Sequence, residues 1–95
     1  LKRTGSGAGI KDINYTSHAR AQMELRNIAD KTVRETLEKP LSIQESEFDR
    51  KVAQKIYNIE GKKNMLRVIF EETGNKIEVI TAYRTTKIIK YLKGS

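Results

Sequence analysis

A single histidine, His18, stands in the stretch Tyr15-Thr-Ser-His-Ala-Arg-Ala-Gln-Met-Glu-Leu-Arg26, and the 95 residues contain no cysteine. On a helix, residues four apart share a face, so His18, Gln22 and Arg26 fall into one polar stripe. That stripe joins an imidazole, an amide and a permanent cation. Thr16 or Ser17 is expected at the N-cap, where a hydroxyl accepts hydrogen bonds from first-turn amides. His18 then sits in the first turn, where the positive end of the helix dipole favours the uncharged imidazole required of a general base. Ala21, Leu25 and Ile28 lie beside the stripe and form the expected buried edge. A capping or half-buried structural histidine is the competing reading of the same residue.

A second set of chemically capable residues lies downstream. In Lys76-Ile-Glu-Val-Ile-Thr-Ala-Tyr83, Thr81 and Tyr83 alternate with Ile80 and Ala82, so a strand puts both hydroxyls on one face. Arg67 interrupts the apolar run Met65 to Glu71, and an arginine amid a sheet is costly unless it is paired or opens to a cleft. Tyr57, one strand earlier, can reach the same region. Each has an ordinary explanation, such as pairing of Arg67 with Glu71 or Glu78. Together they fit metal-independent RNA cleavage. His18 would take the 2′-hydroxyl proton, while Arg67 and Arg26 clamp the phosphate. Thr81 would donate to a non-bridging oxygen, and Tyr83 would position the phosphate or protonate the leaving 5′-oxygen. One histidine rules out a two-histidine acid/base pair, so another residue must take the second role.

Composition narrows the classes. Without cysteine there is no disulfide framework or thiolate metal site, and one histidine argues against zinc. No metal or cofactor is expected, and no apolar run approaches a membrane span. The net charge is +7 and unevenly spread: residues 1–50 hold nine basic and eight acidic side chains, residues 51–95 ten and four. Arg84, Lys87, Lys90 and Lys93 fall in a C-terminal stretch free of acids. With Tyr57 they are the candidate RNA-binding residues, since such asymmetry suits a polyanionic partner.

The elements that must position these residues follow from periodicity. Thr4-Gly-Ser-Gly-Ala-Gly9 has almost nothing to bury, so residues 1–11 read as a flexible linker and 12–95 as the domain. Beginning at Leu1, the chain is expected to be part of something longer. Ile13 and Tyr15 flank Asn14 in a brief extended lead-in. After a turn at Asn27-Ile28-Ala29, Asp30 is expected to cap a second helix reaching about Lys39, with Val33 and Leu37 inward and Pro40 ending it. Strands follow at Leu41 to Ser46, Lys51 to Ile59, Met65 to Glu71 and Lys76 to Tyr83, with turns at Glu60 to Asn64 and Thr73 to Asn75. Thr86 to Leu92 fits a fifth strand or one helical turn. The expected fold is α+β: two N-terminal helices packed on a twisted antiparallel sheet of four or five strands.

The pattern His18-Ala19-(x)6-Arg26-Asn-Ile28, then Val33, Leu37 and Pro40, then Leu66-Arg-Val-Ile-Phe70 and Val79-Ile-Thr-Ala-Tyr83, resembles a small bacterial family. That family is grouped with RelE-like and BrnT-like toxins of the barnase/EndoU/colicin/RelE-like (BECR) ribonuclease fold, and the likeness covers about residues 14–91. The resemblance implies an RNA substrate, tRNA first, and a cognate immunity protein or antitoxin. The linker-like start is similar to the junction before the C-terminal toxin domain of a contact-dependent inhibition or other polymorphic toxin. Such a domain is exported within a larger toxin and acts in the target-cell cytoplasm. A cytoplasmic RelE-like toxin that cuts mRNA is the alternative. A third class, a non-catalytic nucleic-acid-binding module, would use Arg84 to Lys93 on phosphates without needing His18.

Overall fold

The computed structural model describes residues 12–89. The linker expected over 1–11, together with Lys90 and Lys93 of the basic tail, lies outside them. Tight turns set the sheet. Glu60 and Gly61 both take positive φ (52° and 78°) between the paired Ile59 and Lys62, giving a two-residue turn whose twist matches the flanking strands. Gly74, at φ 57°, opens the next hairpin between the paired Thr73 and Lys76. Strands β3 (Lys51–Ile59), β4 (Lys62–Thr73) and β5 (Lys76–Thr85) therefore form an antiparallel meander, and Lys62 to Asn64 belong to strand rather than turn. The short strand β2 (Ser42–Glu45) pairs antiparallel with β3 across a single 3₁₀ turn, Glu47–Asp49.

The lead-in is itself a strand, β1 (Asp12–Tyr15), and it pairs in parallel with β5. The sheet is thus mixed and five-stranded, in the order β1-β5-β4-β3-β2 with β4 central. Parallel pairing needs a long connection, and here both helices and three strands intervene between the two partners. The fifth strand is therefore this lead-in; of the stretch Thr86 to Leu92, Ile88 and Ile89 are helical and residues 90–92 lie outside the described residues.

Helix α1 (Ser17–Leu25) is capped by Thr16, whose hydroxyl accepts from the Ala19 amide at 3.0 Å. The same hydroxyl donates to the Ile80 carbonyl at 3.1 Å, and the Thr16 amide donates to the Val79 carbonyl, also at 3.1 Å. One residue therefore fixes both the start of the helix and its place on β5. The buried stripe of α1 is Ala19 and Met23, four apart, rather than Ala21 and Leu25; Leu25 is 77 % exposed. Residues two apart on a helix point to nearly opposite sides, so burying Ala19 turns Ala21 outward. At the far end Asn27 takes φ 56°, and the Ile28 amide reaches back to the Met23 carbonyl at 2.8 Å. That is a Schellman ending with asparagine in the left-handed position, and it buries Ile28 against Met23. Thr16→Ala should cost about 1 kcal/mol through the lost cap. A Thr16→Ala melting curve that superimposes on wild type would show that the cap contributes nothing.

Helix α2 (Asp30–Glu38) starts one residue earlier than expected: Ala29 occupies the N-cap and Asp30 is the first helical residue. The Asp30 carboxylate accepts from the Tyr15 hydroxyl and from Arg34 Nε at 3.1 Å, tying β1 to α2. The Tyr15 hydrogen bond, with help from Arg34, holds the Asp30 carboxyl below its ordinary range. A depressed folded-state value means that this contribution is complete above the ordinary aspartate range and is lost as pH falls through the folded value. Asp30→Asn should accordingly flatten the acid limb of a melting-temperature profile while leaving its neutral shape alone.

The core lies between the helices and one face of the sheet. Ala53, Leu66, Val68, Phe70, Val79 and Ala82 meet Ala19, Met23, Ile28 and Val33, with α1 over β5 and α2 over β3 and β4. Thr36 is also buried on α2, its hydroxyl donating to the Thr32 carbonyl at 2.9 Å. A β-bulge interrupts β5: Val79 pairs with Phe70 and Thr81 with Ile69, so Ile80 is one residue too many. In an unbroken strand Val79 and Thr81 would share a face. The extra residue separates them, so Val79 and Ala82 both enter the core while Thr81 and Tyr83 turn away from the helix-bearing face.

Candidate active-site groove

Ala19 and Met23 face the sheet, so the stripe one residue earlier, His18, Gln22 and Arg26, flanks the buried face and overhangs the edge of β5. Strand β1 covers that edge only as far as Val79. Beyond it, α1 satisfies the exposed carbonyls: Thr16 binds that of Ile80, and Arg26 Nη1 donates to that of Ala82 at 3.3 Å. The bulge has turned Thr81 and Tyr83 toward the same edge. His18, Gln22, Arg26, Thr81, Tyr83 and Arg84 consequently line one open groove of about 500 Å³.

Four of the five candidate catalytic residues thus meet on one surface. The fifth, Arg67, stands behind it. Arg67 pairs with Tyr83 across β4 and β5, and its Nη1 donates to the Tyr83 hydroxyl at 2.6 Å. Its guanidinium also lies 5.6 Å from the centre of the Tyr83 ring. Of the two acidic residues expected beside Arg67, Glu71 accepts from Arg50 Nε at 3.1 Å. Arg67 reaches the groove through Tyr83. It orients the phenol rather than lining the wall.

Arg26 and Arg84 close the groove at the end of α1. Arg84 donates to the Arg26 backbone carbonyl, and Arg26 holds the Ala82 carbonyl with one arm of its fork. A guanidinium carries five donors, so an arginine anchored in this way can still meet an anion. The groove lining contains no carboxylate. Among the described residues no three His, Cys, Asp or Glu side chains gather to hold a metal ion, and no helix is long and apolar enough to cross a membrane.

Two candidate RNA-binding residues lie elsewhere. Tyr57 faces the helices, not the Thr81 face: its hydroxyl lies 3.2 Å from that of Thr36 and donates to the Thr32 carbonyl at 3.3 Å. Burial pushes the Tyr57 phenol above its ordinary range. Its odd-numbered position beside Ala53 fixes that face, and the side covered by helices decides its fate. Lys87 lines a different recess with Ile56, Lys63 and Ile89. Gln22, which stands on the polar stripe, is a groove residue that residue chemistry alone did not single out.

A model of the family described as "Domain of unknown function (DUF4258)" matches residues 15–84, the segment running from β1 through every groove residue. No curated protein and no solved structure matches the chain.

Proposed function

The chain belongs to the DUF4258 family, and from the groove built by its matched segment we propose that it is an endoribonuclease that cuts RNA without a metal ion. The observation carrying this reading is the convergence of a base, a hydroxyl donor, a phenol and two arginines on one open surface of a protein with net charge +7. His18 takes the proton from a ribose 2′-hydroxyl, and that oxygen attacks the adjacent phosphorus. Arg26 and Arg84 offset the charge of the phosphate, and Thr81 donates to a non-bridging oxygen as negative charge builds there. Tyr83, held by Arg67, delivers a proton to the departing 5′-oxygen. The products are a 2′,3′-cyclic phosphate and a 5′-hydroxyl. A wall of cations without carboxylates supports the metal-independent form, because divalent cations that activate phosphate chemistry are held by carboxylate oxygens.

The finer assignment rests on the resemblance of the sequence motifs to RelE-like and BrnT-like toxins of the BECR fold. On that basis the domain is a bacterial toxin acting on tRNA in a target-cell cytoplasm, and a cognate immunity protein or antitoxin neutralises it. The deciding experiment is incubation of purified protein with total RNA in excess EDTA, followed by analysis of the new ends. Cleavage is expected to persist and to leave cyclic phosphate and 5′-hydroxyl ends. Activity that vanishes in EDTA and returns with a divalent ion would sink the mechanism, once metal effects on RNA folding are controlled. Tight RNA binding with no cleavage would favour the non-catalytic module.

A further inference from the structure

A second recess, of about 200 Å³, opens on the helix-bearing side where β3, β4 and β5 meet the turn between α1 and α2. Its base is apolar, with Ile28 and Leu66. Its rim carries Asn64, which shares the helix-bearing face with Leu66, and the Tyr57 ring forms a wall. This ring is held in place, because its hydroxyl is engaged by Thr32 and Thr36 of α2. The Asn64 amide plane is also held, since Nδ2 donates to the Lys62 carbonyl at 3.2 Å. Arg84 lines both this recess and the His18 groove, so the two adjoin across one guanidinium.

The volume lies below the roughly 300 Å³ at which pockets for drug-sized ligands begin, so the fitting occupant is a single flat ring system. An apolar base and an aromatic wall offer a ring contact on its faces. The Asn64 amide offers both donor and acceptor to its edge, the combination by which proteins read unstacked RNA bases. A guanidinium at the mouth, next to a groove suited to phosphate, gives the occupant a polarity: ring inward, phosphate toward His18. We propose that this recess binds one nucleobase of the nucleotide adjoining the scissile phosphate and so sets the base preference of cleavage. The proposal rests on the ribonuclease reading for its link to cleavage and on the recess alone for base binding.

The test is an amide chemical-shift titration of the whole chain with the four nucleoside 3′-monophosphates, alongside cleavage of an RNA pool that presents every base at each position. One nucleotide should bind at least about tenfold more tightly than the weakest, a difference that edge hydrogen bonds readily supply. The shifts should include Tyr57, Asn58 and Asn64, and the cleaved pool should show one dominant base beside the cut. Asn64→Ala, checked for folding by circular dichroism, should collapse the discrimination among the four nucleotides. Equal binding of all four, or shifts confined to the His18 groove, overturns the base pocket; the wild-type comparison needs no variant to fold. Cleavage with no base preference overturns the pocket and leaves the ribonuclease standing. Discriminating base binding by protein that cuts no RNA overturns the ribonuclease and leaves the pocket.

Discussion

His18→Ala is expected to slow single-turnover RNA cleavage by about 10²–10⁴-fold, the range over which a positioned general base contributes. The fold should survive, because His18 is exposed on the groove side of α1 and alanine is the best helix former at such a site. The helix start is held by Thr16 and the buried stripe by Ala19 and Met23, none of which the substitution touches. Circular dichroism and melting curves therefore accompany the rate measurement. Cleavage near the wild-type rate would remove His18 as the base. Lost activity together with a collapsed melting transition would return it to a structural role. A folded, inactive protein would leave a pH–rate profile to separate base from acid.

Arg67→Gln should lower cleavage by about 10²–10³-fold, the loss associated with one misplaced donor in a charge-stabilising site. Its partner sets the logic of the test. Arg67 acts on the groove through the 2.6 Å hydrogen bond to Tyr83, so Tyr83→Phe should cost a comparable factor. The double variant should be scarcely worse than either single one, since residues in one hydrogen-bonded unit are not additive. Arg67→Lys should restore only part of the rate, because an ammonium keeps the charge and loses the planar fork. Rate losses that multiply in the double variant would show that Arg67 and Tyr83 act independently. A rate that tracks melting temperature across all four proteins would make the pair a structural element only.

Much of this arrangement was legible in the sequence, and the failures have physical causes. The 3.6-residue period put His18, Gln22 and Arg26 on one stripe, and they do line one wall. It misjudged which neighbouring stripe is buried, because Leu25 is more apolar than Ala19 while burial was decided by the tie from Thr16 to Ile80. Alternation along β3 puts Tyr57 on one face with Ala53. Nothing local to that strand says which face the helices cover, so Tyr57 was assigned to the wrong neighbourhood. The antiparallel meander followed from its turn residues. The parallel partner of β5 did not, because β1 finds its place through contacts made 64 residues later in the chain, such as that between Tyr15 and Val79. The bulge left a trace that was overlooked: without Ile80, the run Ile77-Glu-Val-Thr-Ala-Tyr alternates perfectly between buried and outward positions.

That trace has a consequence for how position 80 tolerates change. Its side chain is neither deep in the core nor part of the groove lining, whereas its carbonyl seats the first residue of the helix assembly. Any residue supplies a carbonyl. Exchange of one residue type for another at this position is therefore mild, while removing the position altogether keeps every neighbouring side chain on its face and takes away the seat of α1. Position 80 is specified by count and not by identity, and length variants of this strand would unseat the helix that substitutions there leave in place.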